Sequence, residues 1–335
     1  MQEISIACPR NLIRMNTKWL KNFLFLLIVL LFTIIPASAS TSGNSITYSF
    51  VHISDTQGLA SSYPKTYDYT FSYLESIKER YNISAIIITG DLVNTWNSKK
   101  EWDAYSHAVH QTSIPIYTVA GNHDTNNGQD YQYYSQNTGN TADSSVTTLN
   151  NFDLVEINSV FKSPELLEIT TLKKTLLNSP NNFAIIATHY YMDENGTLSR
   201  LGEDINRQLI VKPTIILSGH VHANFVRIRM IDQYPVIEDL TNYQFGIPGG
   251  SSSGDIAAGT FYSITTRNNQ VEKISSKIIW ISPRQSFGSE QVLYDVSVPA
   301  PRVETTPVIT TPLPDSIWNS FVEFFRGLLN VVLPS

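Results

Sequence analysis

The chain has 335 residues, with 23 Lys and Arg, 29 Asp and Glu, and Cys8 as its single cysteine. A chain of this length can bury a large hydrophobic core, and one cysteine excludes a fold held together by internal disulfides. The net charge of −6 argues against nucleic acid as a partner, because an acidic surface without a basic stripe repels polyanions.

Residues 1–39 have the pattern of a signal peptide. Basic residues precede an uncharged apolar stretch over residues 23–35, and the small residues 37–39 supply a cleavage site. The alternative is a retained transmembrane anchor, but the apolar stretch is shorter than the roughly twenty residues that span a bilayer. Cleavage would remove Cys8, four of the 23 basic residues and one of the 29 acidic residues, so the net charge would become about −9.

Five short apolar runs each end beside side chains that can bind a metal ion. The runs are rich in β-branched residues and bounded by glycine, which predicts buried strands at residues 50–54, 85–89, 114–119, 183–188 and 214–218. Carboxylate, amide and imidazole groups follow them, in Asp55, Gln57, Asp91, Asn122, His123, Asp124, His189, His220 and His222. Because ligands bind beyond the carboxyl ends of strands in open α/β sheets, these groups are expected to form one metal site.

Helical periodicity between the runs indicates an α/β architecture. Apolar residues recur every three or four positions over residues 67–80, 102–109, 166–177 and 202–210. The first three strand ends are separated by roughly thirty residues or slightly more, as strand–helix–strand units require. Alternating strands and helices therefore predict an α/β fold.

The rest of the predicted domain, residues 40–298, contains a polar insertion and several further strands. The insertion, residues 125–149, is either an ordinary loop or a wall of the cleft built from Tyr131, Tyr133 and Tyr134, with Tyr190 and Tyr191 beside His189. Residues 224–231 alternate as a strand does, and residues 260–279 resemble a hairpin. The glycine-rich run 249–254 could cradle a phosphate or form a surface loop.

The C-terminal region differs in composition from the domain. Residues 299–314 form a Pro/Thr-rich linker, and residues 315–335 have the pattern of an amphipathic helix with a narrow polar stripe. Its regular polar positions argue against a membrane-spanning helix. The helix could make peripheral contact with a membrane, bind a partner helix or fold back on its own domain.

The candidate ligands suit hard metal ions. Oxygen and imidazole groups without thiolates favour divalent or trivalent ions such as Mn, Fe or Zn, and the sequence leaves the identity open. Two ions about 3.5–4 Å apart can clamp the attacking and leaving oxygens of a phosphoryl displacement and activate a water molecule. Such a pair needs a bridging carboxylate, for which Asp91, directly after Gly90, is the natural candidate.

The motifs resemble those of the calcineurin-like metallophosphoesterases. That pattern runs Asp-X-His, Gly-Asp, Gly-Asn-His-Asp/Glu, a single His and Gly-His-X-His. Here it stands as Asp55-Thr56-Gln57, Gly90-Asp91, Gly121-Asn122-His123-Asp124, His189 and Gly219-His220-Val221-His222. The resemblance implies a four-layer αββα sandwich of two mixed β-sheets flanked by helices, with the strands after His222 in the second sheet.

The resemblance also implies a role for each candidate residue. One metal ion would be held by Asp55, Gln57, Asp91 and His222, and the other by Asp91, Asn122, His189 and His220. His123 would contact the phosphate and protonate the leaving oxygen, and Asp124 would orient it.

Two departures narrow the family comparison. Gln57 stands where the family has histidine, and an amide oxygen is a poorer donor that favours harder metals, so one ion would bind more weakly. Purple acid phosphatases carry a tyrosine ligand shortly after the Gly-Asp motif. Leu92, Val93 and Asn94 stand here instead, which argues against that subgroup.

The remaining histidines have structural explanations, and the whole pattern predicts an enzyme. His52 should be packed or hydrogen-bonded in the first strand, and His107 and His110 should be solvated on a helix. The predicted function is an exported, extracellular or cell-surface hydrolase of phosphate mono- or diesters that acts on a small phosphoester. The alternatives are a non-catalytic binding or adhesion module, which would be expected to lose Asp91 or His123 first, and a nuclease, which the acidic charge disfavours.

Overall fold

The computed structural model describes residues 45–149, 152–158, 160, 165–221, 224–241, 257–268, 270–281 and 291–296. The chain divides into two compact units, residues 1–44 and 45–335, and the described residues belong to the second. The predicted signal peptide, the run 249–254, the linker and the C-terminal helix lie outside the described residues. Within the described part of the chain, no helix combines the length and apolar character needed to cross a membrane.

The described elements alternate between strands and helices over most of the chain. They are β1 (Ser45–Ile53), α1 (Gln57–Ser62), α2 (Pro64–Tyr81), β2 (Ile83–Ile88), α3 (Lys99–Val109), β3 (Ile116–Thr118), α4 (Gln132–Thr138), β4 (Ser145–Thr148), β5 (Asp153–Ile157), α5 (Leu166–Asn178), β6 (Ala184–Thr188), α6 (Arg200–Gln208), β7 (Thr214–Ser218), β8 (Asn224–Ile231), β9 (Tyr234–Thr241), β10 (Ala257–Arg267), β11 (Gln270–Ile281) and β12 (Gln291–Val296). The five predicted strands correspond to β1, β2, β3, β6 and β7, and the four predicted helices to α2, α3, α5 and α6.

The strands form two six-stranded sheets, in the orders β12-β11-β10-β1-β2-β3 and β4-β5-β6-β7-β9-β8. Both sheets are mixed. In the first, β1, β2 and β3 are parallel while β10 to β12 are antiparallel; in the second, β5, β6, β7 and β9 are parallel and the edge strands β4 and β8 are antiparallel. The α/β sandwich of two mixed sheets with helices is therefore confirmed.

Hydrophobic packing separates the layers of the sandwich. On the inner face of the first sheet, Phe50 stacks on Tyr262 with ring centroids 4.6 Å apart. Both belong to a buried cluster between the sheets that also contains Ile87 and Leu217. A second cluster joins the outer face of the first sheet to α2 and α3, and a third joins the outer face of the second sheet to α5 and α6. Alternate residues of a strand point to opposite faces of its sheet, and both faces of the central strands are covered. The central strands must therefore be apolar on both faces.

The strands after His222 do not all join the second sheet, which corrects the expectation drawn from the family resemblance. β8 and β9 do, but β10 pairs antiparallel with β1, in a register that runs from Ser45↔Arg267 to His52↔Thr260. β1 is buried on both faces and would otherwise leave an unpaired edge. The β10–β11 hairpin covers that edge, as sheets generally require.

The polar insertion is structured, contrary to the alternative of an ordinary loop. It contains α4 and β4, and Tyr134 is fully buried, with its hydroxyl 2.8 Å from the Thr118 carbonyl oxygen. The Tyr131 hydroxyl donates to the Asn158 carbonyl at 2.9 Å. Tyr131 and Tyr134 therefore fasten the insertion to the domain rather than lining a cleft.

Glu156, on β5, gives the fold a predicted pH dependence. Its side chain is 6% exposed, and burial raises its pKa from 4.5 to about 7. The folded state therefore holds a proton that the unfolded chain has lost, and stability declines as the pH rises through this range. We expect Glu156→Gln to remove the part of the decline that Glu156 causes, so that its stability relative to the wild type rises by roughly 2–3 kcal/mol between pH 4 and pH 8. Urea unfolding at both pH values measures the gain, and an equal pH dependence in the two proteins would contradict it.

Candidate metal centre

The candidate ligands lie where strand ends from both sheets converge. Asp55 and Asp91 follow β1 and β2 of the first sheet, and His189 and His220 follow β6 and β7 of the second. The backbone N–H of His220 donates to the Asp55 carboxylate at 3.0 Å. The two sheets therefore bring these residues together at one edge of the sandwich.

The backbone at three of these positions adopts a conformation that non-glycine residues rarely occupy. Asp55, Asp91 and His220 have φ values of 54°, 53° and 71°, in the left-handed region. Such conformations persist only where surrounding contacts enforce them, and they cluster at functional sites. Here they turn the chain sharply after each strand, so that the side chains face one another.

Glycine permits this close approach. A Cβ atom at Gly219 would overlap Ser54 Oγ and Asp55 Oδ2, and one at Gly121 would overlap the backbone N and Oδ1 of Asp91. Neither glycine has room for a side chain, so the Gly-Asn-His and Gly-His motifs owe their glycines to packing against the two aspartates.

Asp91 lies between Gln57 on one side and His189 on the other. Its Oδ1 accepts a hydrogen bond from the His123 backbone N–H at 2.9 Å and lies 3.4 Å from His189 Nε2. Its Oδ2 lies 3.4 Å from Gln57 Nε2. The two oxygens of one carboxylate therefore face different partners, an arrangement that would let the carboxylate bridge two ions.

The spacings among Asn122, His189 and His220 suit a bound metal ion. Asn122 Oδ1 lies 3.0 Å from His189 Nε2 and 2.9 Å from His220 Nδ1, and the two ring nitrogens are 3.2 Å apart. Metal–ligand bonds of about 2.1 Å place neighbouring ligand atoms about 3.0–3.4 Å apart in octahedral or tetrahedral geometry. Asp91, His189 and His220 can together supply three such atoms, and the residues present therefore fit a metal ion.

A backbone carbonyl orients His189. His189 is fully buried, and its Nδ1 lies 2.8 Å from the carbonyl oxygen of Thr89. A carbonyl can only accept, so the proton resides on Nδ1 and Nε2 keeps its lone pair for a metal ion. This arrangement, in which the second ring nitrogen is held by an outer partner, is common among histidine ligands.

Three carboxyl groups at the site have raised pKa values. Burial is the main cause at each: it raises the pKa of Asp55 and of Asp124 to about 7 and that of Asp91 to about 6. Mutual repulsion with Asp91 adds to the effect at Asp55 and Asp124. Buried carboxylates are costly unless paired with positive charge. Bound cations would supply the missing positive charge, so the site favours cation binding.

Asp124 does not orient the imidazole of His123, contrary to the expected contact. Its buried carboxylate accepts hydrogen bonds from the backbone N–H groups of Leu92, Val93 and Gly121, at 2.8, 3.1 and 2.8 Å. It therefore ties the turn after β2 to the turn after β3. The geometric reason is that the aspartate points back into the domain while the His123 ring points outward.

The orienting group for His123 is instead the carbonyl of Asn94. His123 Nδ1 lies 2.7 Å from that oxygen, and the ring is half-buried. The carbonyl fixes the proton on Nδ1 and leaves Nε2 on the open side of the ring. A backbone carbonyl carries no residue-type signal, so the sequence could not identify this partner.

The other predicted residues are placed as follows. Gln57 begins α1 and is 5% exposed, whereas His222 lies outside the described residues. His52 is buried and bonded to Thr89 Oγ1 at 2.8 Å. On α3, His107 Nδ1 pairs with Asp68 at 2.8 Å, and His110 bonds within its own helix.

Only one of the two tyrosines after His189 reaches the centre. The Tyr190 ring meets the His220 ring edge-on, with centroids 4.7 Å apart. Tyr191 is fully buried and donates its hydroxyl hydrogen bond to Glu238. The sequence suggested both as cleft walls, and the structure allows that function for Tyr190 alone.

Comparison with known proteins gives one curated relative and several structural neighbours. The chain is 27% identical over 233 residues to the Bacillus subtilis (strain 168) protein described as uncharacterized protein YvnB, a match that covers 61% of this chain but only 18% of that protein. The yellow lupin (Lupinus luteus) purple acid phosphatase PPD1 has a TM-score of 0.54 at 14% identity, over 76% of this chain and 54% of that chain. GAP50, the anchor in the inner membrane complex of Plasmodium, has a TM-score of 0.50 at 15% identity, over 77% and 90%.

At such low identities the structural likeness concerns the fold alone, and the family assignment comes from the sequence. The model of the calcineurin-like phosphoesterase family matches residues 48–224, more than half of the chain. The matched range includes Asp55, Asp91, Asn122, His189 and His220. The chain therefore belongs to the calcineurin-like phosphoesterase family.

Proposed function

We propose that the protein hydrolyses phosphate monoesters or diesters at a centre of two metal ions. The single observation that carries this proposal is the position of Asp91, whose two carboxylate oxygens face Gln57 on one side and His189 on the other. A carboxylate so placed can join two ions, and its raised pKa is the expected signature of a buried anionic ligand without its cations.

Each half of the proposed centre draws on the described ligands. Asp55, Gln57 and Asp91 would hold one ion, to which the family pattern adds His222. Asp91, Asn122, His189 and His220 would hold the other. Bound ions would lower the pKa of a water molecule and neutralise charge on the phosphate.

His123 has the geometry of a general acid. The Asn94 carbonyl accepts from Nδ1 at 2.7 Å and fixes the orientation of the ring. Nε2, on the open side, can then donate a proton to the leaving oxygen. Partial exposure of the ring allows solvent to return that proton. Asp124 contributes indirectly, because it holds the turns that carry Asp91 and His123 in register.

The test combines metal analysis with turnover of two substrates. Purified protein would be stripped with a chelator, titrated with Mn²⁺, Fe²⁺ or Zn²⁺, and assayed with p-nitrophenyl phosphate and bis-p-nitrophenyl phosphate. Two bound ions per chain and metal-dependent turnover of either ester support the proposal. His107→Ala, at an exposed histidine paired with Asp68, is the control and should behave as the wild type. Metal binding without turnover would indicate a binding module.

Gln57 offers a direct test of its proposed ligand role. We expect Gln57→His to tighten one metal site, because imidazole is a stronger donor than an amide oxygen. Occupancy should also become more pH-dependent, since imidazole must lose its proton before it binds. Metal titrations at pH 6 and pH 8 measure both effects. Unchanged affinity at both pH values would show that residue 57 does not contact an ion.

We also propose that the protein is exported and contacts a membrane through residues 315–335. The support is the signal-peptide pattern of residues 1–39 and the apolar face of the C-terminal segment, which contains Trp318, Phe321 and Phe324. We expect deletion of residues 315–335 to release the protein from liposomes and to leave turnover intact. A lowered melting temperature in the truncated protein would instead show that the segment packs on the domain.

A further inference from the structure

A buried polar group lies between the two sheets, below the metal centre. His52, on β1, is 1% exposed and shares the inter-sheet layer with Thr89, Thr260, Asp239 and Tyr262, all fully buried. The neighbouring inter-sheet positions, such as Phe50 and Ile87, are apolar. A buried imidazole costs free energy that an apolar side chain would not, so its presence calls for a physical explanation.

Thr89 connects His52 to a candidate metal ligand. His52 Nε2 lies 2.8 Å from Thr89 Oγ1, while the carbonyl oxygen of Thr89 lies 2.8 Å from His189 Nδ1. Thr89 thus accepts a hydrogen bond from His189 at its backbone carbonyl and makes another to His52 through its side-chain hydroxyl. The rotamer of Thr89 is fixed from the inter-sheet side.

Asp239 faces the other ring nitrogen of His52. Its Oδ2 lies 3.9 Å from His52 Nδ1, too far for a hydrogen bond but close enough to favour a proton on that nitrogen. His52 Nδ1 has no hydrogen-bond partner within the described residues. With its proton on Nδ1, the ring accepts at Nε2, and the Thr89 hydroxyl donates to it. The Tyr262 hydroxyl in turn donates to Asp239.

We propose that His52 is a positioning residue for the metal centre. It holds Thr89 so that the Thr89 carbonyl aligns His189, whose Nε2 then faces Asp91 and Asn122. The chain of contacts runs from Asp239 through His52 and Thr89 to His189. This inference rests on the proposed metal-dependent function, and it assigns to the inter-sheet layer a part in metal affinity.

Two variants interrupt this chain at different places. Thr89→Val removes the hydroxyl with little change in shape, and His52→Phe removes the imidazole nitrogens. Outer partners of histidine ligands typically change metal affinity by about 10–100-fold when lost. Both variants keep the Thr89 carbonyl that contacts His189, so we expect each to weaken binding of Mn²⁺ or Zn²⁺ by about tenfold, the low end of that range, in calorimetric titrations of the metal-free protein. The double variant should be no weaker than the worse single variant, because both act through one chain.

The controls separate positioning from general damage to the core. Thr260→Val makes the same change at a buried inter-sheet threonine whose hydroxyl lacks a hydrogen-bond partner within the described residues, and it should retain wild-type affinity. Thr89→Ser keeps the hydroxyl and should retain most of the wild-type metal affinity. The thermal midpoint of each metal-free variant would be recorded. His189 ring nitrogen chemical shifts in the metal-free protein should show less of the Nδ1–H form in Thr89→Val.

The outcomes distinguish this inference from the function on which it rests. If the wild type binds no metal, both are overturned. If it binds metal but folded Thr89→Val and His52→Phe bind equally well, only the positioning role of His52 is overturned. An equal loss of affinity in Thr260→Val would also overturn it, since the effect would then belong to core packing.

Discussion

Asp91→Asn is expected to abolish measurable hydrolysis and to reduce the metal content of the protein. The carboxylate is buried and its two oxygens face different ligand groups, so one substitution weakens both proposed metal sites. An amide has similar size but carries no charge, and it cannot neutralise two cations. Its NH₂ group would also point a donor at one of the ions.

Metal analysis and p-nitrophenyl phosphate turnover on the same preparation provide the measurement. Asp68→Asn is a suitable control, because Asp68 pairs with His107 on a partly exposed surface. Folding should be intact in Asp91→Asn, since burial raises the pKa of Asp91 and the amide removes a costly buried charge. Wild-type metal content and turnover in Asp91→Asn would rule out a bridging role.

His123→Ala should slow turnover by roughly 10²–10⁴-fold, the usual contribution of a general acid, while the metal content stays unchanged. The side chain lies beside the ligands, and its contact with Asp91 is made by the backbone N–H, which the substitution preserves. The loss should therefore appear in the rate of the chemical step rather than in metal affinity.

Leaving-group dependence gives a sharper test of the same residue. Esters of acidic phenols need little protonation of the leaving oxygen, whereas alkyl esters need it fully. The penalty of His123→Ala should shrink from alkyl to p-nitrophenyl esters. An equal penalty across the series would indicate that His123 only positions the phosphate.

The sequence predicted the strand ends well because their chemistry is local. A buried strand such as β2 needs apolar residues on both faces, and the sharp turn after it needs glycine beside Asp91. Both requirements appear directly in residue types. The approximate limits of α2 and α5 were predictable for the same reason, because an amphipathic period of 3.6 residues is visible in the sequence.

Other features depend on long-range pairing and backbone groups. Nothing near residues 257–267 indicates that β10 pairs with β1 rather than with the second sheet, since either edge would satisfy its alternating pattern. The short helix α4 is polar and ends at Gly139 after seven residues, too few for a clear period. The carbonyl groups of Thr89 and Asn94, which orient His189 and His123, have no counterpart in side-chain identity.

The origin of the ligands in both sheets has a mechanical consequence. Asp55 and Asp91 follow strands of the first sheet, and His189 and His220 follow strands of the second. Bound cations would therefore cross-link the two sheets at one end of the sandwich. The sequence contains one cysteine, Cys8, so no disulfide within it can perform this task. Ions that bind only the folded state add RT ln(1 + [L]/Kd) to its stability. The proposed metal centre would then also stabilise the packing of the two sheets against each other.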